Sequence, residues 1–106
     1  MHQDCIFCKI INKEIPAKIE FEDEKCLAFY DIKPQAKTHL LVIPKKHIPS
    51  MREVTEQHED ILGHMMKKSS DLAKSLNLEH YRMRINVGEE AGQIIFHLHV
   101  HIMSVQ

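Results

Sequence analysis

No stretch of this 106-residue chain comes near the ~20 consecutive apolar residues that a membrane-spanning helix requires. Its first residues, Met1-His2-Gln3-Asp4-Cys5, carry neither the basic start nor the apolar core of a secretory signal, and no Asn-x-Ser/Thr acceptor follows. These absences predict a cytoplasmic protein. Charge of one sign is missing too: 14 basic residues stand against 15 acidic ones, for a net charge of −1. No broad field is therefore available to draw in nucleic acid or a membrane surface, and any bound phosphate must be held by local groups. Repeats, low-complexity tracts and linkers are absent, which predicts one small domain over residues 1–106 around a single core. An apolar share of 43% and a charged share of 27% keep the chain among globular proteins. Three cysteines are an odd number, and Cys5 and Cys8 have the spacing of metal ligands or redox partners rather than of a secreted disulfide framework.

Histidine is what the chain has in excess. Three of its nine histidines, His97, His99 and His101, occupy alternate positions, with Leu98, Val100 and Ile102 between and after them. In a strand this spacing sets the imidazoles in one row and the aliphatics on the opposite face. A one-residue slip would bury the imidazoles and expose the aliphatics, so the register is strongly specified. With unperturbed pKa values near ~6.5, clustered imidazoles can serve as nucleophile, acid, base or metal ligand at neutral pH. Taken alone, the row has three readings: imidazoles merely lining a solvated sheet face, a metal site, or a catalytic row that attacks phosphorus. Asn86-Val87-Gly88 on the preceding strand and Gly92-Gln93 just before the row favour the last.

The remaining pattern predicts an α+β fold, with a mostly antiparallel sheet of about five strands, one short helix and one long helix. Residues 5–12 suit the short amphipathic helix, stopped before Pro16. Strands are predicted over 18–22 and 26–30 around Asp23-Glu24, over the apolar run 40–43 as a buried central strand, over 82–87, and over 95–103. Thr55 is the expected N-cap of the long helix, which carries Ile61, Leu62, Met65, Leu72 and Leu76 at helical spacing. The Met65-Met66 pair reads as core, as does Cys26. His2, His58, His64 and His80 have no constellation around them and read as solvated surface.

The chain closely resembles the histidine triad family, in particular its nucleoside phosphoramidase branch. The resemblance rests on Ile6-Phe7-Cys8-Lys9-Ile10-Ile11, Glu14-Ile15-Pro16-Ala17, Phe29-Tyr30-Asp31-Ile32 and Thr38-His39-Leu40. It continues through Val42-Ile43-Pro44-Lys45-Lys46-His47-Ile48, Tyr81-Arg82-Met83, Asn86, Gly92-Gln93 and the triad, so it spans nearly the whole chain. It implies cleavage of purine nucleoside 5′-phosphoramidates, with His99 attacking the α-phosphorus to form a nucleotidyl-histidine that water hydrolyses. His101 then donates a hydrogen bond to the phosphate or leaving group, and His97 and His39 shape the site. Phe7, Ile10, Phe29 and Ile32 match positions that sandwich the base, Asp31 binds ribose hydroxyls, and Asn86 binds ribose or phosphate. Gln93 and a backbone amide at Gly92 are the expected phosphorane donors, with no metal needed for the chemistry. Many bacterial members hold a structural zinc, for which the matching ligands are Cys5, Cys8, His47 and His97. Two-fold homodimers are also implied.

Two departures stand out. Ile94 occupies a position where this branch carries Ser or Thr, which removes a hydroxyl donor from the phosphate cradle. The motif is followed by Ser104-Val105-Gln106 rather than Gly-Gly-Arg and the tail that shapes substrate preference. Rival readings are a dinucleoside polyphosphate hydrolase, a nucleotide- or zinc-binding module with little turnover, and a zinc hydrolase using all three triad histidines.

Overall fold

Leu40, Leu41, Val42 and Ile43 are apolar on both sides of their strand because that strand lies in the middle of the protein. In the computed structural model, which describes residues 4–105, strand β3 (His39–Pro44) is buried along its whole length. It pairs antiparallel with β2 (Cys26–Tyr30) on one side and with β5 (Val100–Ser104) on the other. Strand β1 (Ile19–Glu22) and strand β4 (Tyr81–Arg84) form the two edges, giving the order β1-β2-β3-β5-β4. All pairings are antiparallel.

Period-2 alternation sorts this sheet into two cores. Ala28, Leu40, Val42, Val100 and Ile102 face the long helix α2 (Glu59–Ser75), which packs Met65 and Leu72 against them. Leu27, Phe29, Leu41 and Ile43 face the short helix α1 (Ile6–Ile11), which contributes Phe7 and Ile10. The imidazole face is therefore covered as well as the aliphatic face.

The helix ends follow local chemistry. The Sγ of Cys5 accepts from the Cys8 amide at the start of α1. Thr55 caps a single 3-10 turn (Glu56–His58) that leads into α2, with His58 Nδ1 accepting from the Thr55 amide. At the far end Asn77 takes the left-handed conformation (φ 60°), and the Leu78 amide reaches back to the Ala73 carbonyl.

Several local expectations need correction, the N-cap role of Thr55 among them, since α2 itself starts only at Glu59. β5 begins at Val100, not at residue 95, because the Leu98 amide leaves the sheet to bond the Ile48 carbonyl. β4 stops at Arg84, before the loop that carries Asn86. Met66 points outward, with 40% of its surface exposed, since it lies one residue off the buried stripe through Met65 and Leu72. His64 is half-buried, 2.6 Å from Asp23 Oδ2, and so ties α2 to the β1-β2 turn. His58 serves as the cap described above, His80 is exposed, and His2 lies outside the described residues. No helix among the described residues is long and apolar enough to cross a membrane.

Candidate active site

The chain turns sharply between Phe96 and Val100, and this turn decides what each imidazole can do. His99 Nδ1 lies 2.7 Å from the carbonyl of His97, two residues back. A carbonyl can only accept, so Nδ1 carries the proton and Nε2 keeps its lone pair. The edge of the Phe7 ring abuts His99, with centroids 5.1 Å apart, and helps to fix the ring plane. Burial lowers the His99 pKa from its ordinary value, partly offset by the His97 carbonyl, so the ring is neutral at neutral pH.

His101 is set by a longer chain of contacts. The Gln35 amide donates to His39 Nδ1 at 3.0 Å, which leaves the His39 proton on Nε2. That Nε2–H donates to His101 Nδ1 at 2.9 Å, nearer than the Asp31 carboxylate at 3.5 Å. His101 must therefore carry its own proton on Nε2. This atom is buried and has no hydrogen-bond partner. Burial first, then the neighbouring His99 and Arg84, push the His101 pKa down to about 4, which keeps it a neutral donor. Burial likewise lowers His39.

Both rings face a cavity of about 420 Å³ between α1 and the open end of the sheet. Its apolar end is lined by Phe7, Ile10 and Phe29, with the Phe7 and Phe29 rings edge to face at 5.4 Å. Asp31 lies on its wall, where Oδ1 accepts from the Lys33 amide and so fixes the turn after β2. Asn86 and Gly92 also line the cavity, with the Asn86 amide donating to the Gly92 carbonyl at 3.4 Å. Gly92 has φ +94°, and a Cβ there would lie 3.3 Å from Asn86 Nδ2, so the close approach of this loop requires glycine.

Behind the cavity, Cys5, Cys8, His47 and His97 bring one ligand atom each to within 4.8 Å of one another. The sulfur-to-nitrogen separations are 3.3 Å for Cys5–His97, 3.2 Å for Cys8–His47 and 3.5 Å for Cys8–His97. Zinc bonds of ~2.3 Å to sulfur and ~2.0–2.1 Å to nitrogen at tetrahedral angles separate those atoms by ~3.6 Å, so the donor set fits that ion. His97 Nε2 donates to the Pro44 carbonyl at 2.7 Å, which turns the unprotonated Nδ1 toward the thiols. Burial and then the Cys5 thiol push Cys8 up to about 12; a divalent cation is what would hold it as a thiolate.

A family model described as "Scavenger mRNA decapping enzyme C-term binding" matches residues 4–106. An uncharacterized HIT-like protein of Synechocystis sp. is 47% identical over 105 residues, or 98% of this chain and 92% of that protein. The crystal structure of a HIT family hydrolase from Legionella pneumophila gives a TM-score of 0.93 at 42% identity, covering 96% of this chain and 93% of the other. A histidine triad protein from Clostridium difficile gives 0.95 at 39% identity, covering 100% and 94%. This chain belongs to the histidine triad (HIT) family.

Within this histidine triad protein the three imidazoles diverge. His97 turns to the cysteines, His99 to a carbonyl and His101 to His39, so the three do not converge on one metal ion. The cavity gathers Phe7, Ile10, Phe29, Asp31 and Asn86, together with Gly92, His99 and His101. Ile32 and Ile94 also line it but are 88% and 87% exposed.

Gln93 departs from expectation. Its side chain is buried, with Nε2 donating to the Pro49 and Ile95 carbonyls and Oε1 accepting from the Gly88 amide. Both amide hydrogens are engaged, so Gln93 braces the loop instead of donating to a phosphate. Arg84, unmarked in the sequence, lies on the cavity wall beside His101. The signal that could have found it was its register on β4, which is legible only once the pairing with β5 is known.

Proposed function

We propose that this histidine triad protein hydrolyses nucleoside 5′-phosphate derivatives at the α-phosphorus, with purine nucleoside 5′-phosphoramidates as substrates. The observation that carries this reading is the complementary protonation of two adjacent rings: a lone pair on His99 Nε2 and a proton on His101 Nε2. The base lies in the slot between Phe7, Ile10 and Phe29, and the ribose hydroxyls meet Asp31. The His99 Nε2 lone pair attacks phosphorus as the bond from phosphorus to the leaving nitrogen breaks. The departing nitrogen takes a proton from water, and the amine leaves. His99 keeps its Nδ1 proton, and the His97 carbonyl stabilises the cationic ring of the nucleotidyl-histidine. His101 Nε2–H hydrogen-bonds the phosphoryl oxygens as charge builds on them. Water then attacks phosphorus and gives up a proton to the hydroxide left by the first step, the electron pair of the P–N bond returns to Nε2, and the nucleotide is released.

A structural zinc held by Cys5, Cys8, His47 and His97 is part of this reading. It would pin α1, and with it Phe7, to the turn that carries His99. The edge strand β4, together with the exposed Met66 and Met83, is the surface on which a two-fold homodimer would form. Hydrolase naming of the Legionella pneumophila protein supports the reaction class. The test is turnover of an adenosine phosphoramidate by the wild type and by His99→Ala, each with and without chelator. Turnover that His99→Ala abolishes and chelator spares is expected. A wild type that binds AMP but releases no amine would sink the enzyme reading in favour of a binding module.

A further inference from the structure

Strand register lines up four side chains across the sheet, on the face that α1 covers. Phe29 is opposite Leu41, Leu41 is opposite His101, and His101 is opposite Arg84. The row begins at the apolar slot, passes through the His101 imidazole, the donor beside the nucleophilic His99, and ends on a guanidinium one strand farther on. Strands lie ~4.8 Å apart. A nucleotide with its base at Phe29 and its α-phosphorus at His99 therefore directs its leaving group toward Arg84.

Arg84 is not an ordinary edge-strand cation. Arg82, on the same strand, is exposed, whereas Arg84 is half-buried on the cavity wall. Its Nε is fully buried and has no hydrogen-bond partner, and its guanidinium forms no ion pair with any described residue. Its charge acts on all three imidazoles around the cavity, His39, His99 and His101. A buried donor without an acceptor is costly unless a ligand supplies one. The planar fork of a guanidinium fits a carboxylate or a phosphate. The only carboxylate among the cavity-lining residues is that of Asp31, whose oxygens face the Lys33 amide and His39.

We infer that Arg84 binds the leaving group and selects substrates whose leaving group carries an anionic carboxylate or phosphate over those with an uncharged one. This rests on the α-phosphorus chemistry proposed above and narrows its substrate class. Arg84 lines the same cavity as the hydroxyl-less Ile94, so it brings donors to a cavity that lacks that hydroxyl.

The experiment compares wild type, Arg84→Gln and Arg84→Lys on two adenosine 5′-phosphoramidates, one of β-alanine and one of propylamine. The P–N bond is the same in both, and only the charge of the amine's far end differs. A parallel binding arm measures Kd for α,β-methylene-ADP and for AMP, which reads a phosphate in place of the carboxylate. The wild type is expected to favour the β-alanine conjugate in kcat/KM, or the diphosphate analogue in Kd, by ~10–100-fold. Arg84→Gln should bring that ratio close to one, and Arg84→Lys should restore part of it. The arm that collapses identifies the anion. Ratios equal in wild type and Arg84→Gln in both arms overturn the assignment, also where Arg84→Gln changes only the oligomeric state. A wild type that cleaves neither conjugate contradicts the proposed reaction instead, and the binding ratio then decides on Arg84 by itself.

Discussion

His39 Nε2 lies 2.9 Å from His101 Nδ1, and this one contact sets which nitrogen of His101 carries its proton. His39 is thus a positioning residue, held in turn by the Gln35 amide. His39→Ala frees the His101 ring to take either tautomer and should lower kcat/KM for a phosphoramidate by ~10–100-fold. His39→Gln, whose amide can accept from Gln35 and donate to His101, should recover a substantial part. Equal rates for His39→Ala and wild type would show that the contact does not govern the donor.

Removal of the metal should affect folding before chemistry. The wild type is expected to carry one zinc per chain by elemental analysis, and Cys5→Ser or Cys8→Ser should carry none. Because ligand binding to such a site is folding free energy, each substitution should lower Tm by at least ~10 °C. Below the lowered Tm, turnover should persist, since neither His99 nor His101 belongs to the cluster. A variant that keeps its Tm while losing metal would show the site to be dispensable for the fold.

Asp23 provides a pH signature for stability. Partial burial raises its pKa, but the Cys26 and Lys25 amides and His64 outweigh this and bring it down to about 2. A carboxyl depressed in the folded state stabilises above its unfolded pKa of ~3.9, and that contribution is lost as pH falls through about 2. Asp23→Asn should cost about 1 kcal/mol at pH 7, a figure that allows for screening at this half-exposed turn. The gap to wild type, read from urea midpoints, should narrow steadily below pH ~4. A gap independent of pH would contradict the role given to the carboxylate.

Gln93 separates a brace from a phosphate donor. Gln93→Ala leaves the Gly88 amide and the Pro49 and Ile95 carbonyls without this partner at a half-buried site. A loss of ~2–4 kcal/mol in urea unfolding is expected. AMP affinity measured below the transition should change by no more than ~3-fold, because both amide hydrogens of the side chain are already engaged by carbonyls. Unchanged stability with a large loss of affinity would return Gln93 to the phosphate cradle.

Much of this was legible in the sequence because it depends on local spacing. The alternation of His97 to Ile102 exposes one intent on each face, and Leu98, Val100 and Ile102 are indeed buried. Cys5-x-x-Cys8 fits one turn of helix, and the apolar run at Leu40–Ile43 has no outlet but a central strand. The rest depends on contacts between distant segments. His97 and His99 leave the strand because the Leu98 amide finds Ile48, 50 positions earlier in the sequence and invisible to periodicity. His64 meets Asp23 only after α2 packs on the sheet, and Arg84 faces the cavity only through its register with His101.

The covalent step is the centre of the account, and it can be read directly. Wild-type protein mixed with excess adenosine phosphoramidate, quenched within milliseconds under non-acidic conditions and mapped by mass spectrometry, should carry one adenylyl group on His99. The label should appear before free AMP accumulates, and it should be absent from His99→Ala. Full turnover by His99→Ala, or an adenylyl group mapped to His101 or His39, would contradict it.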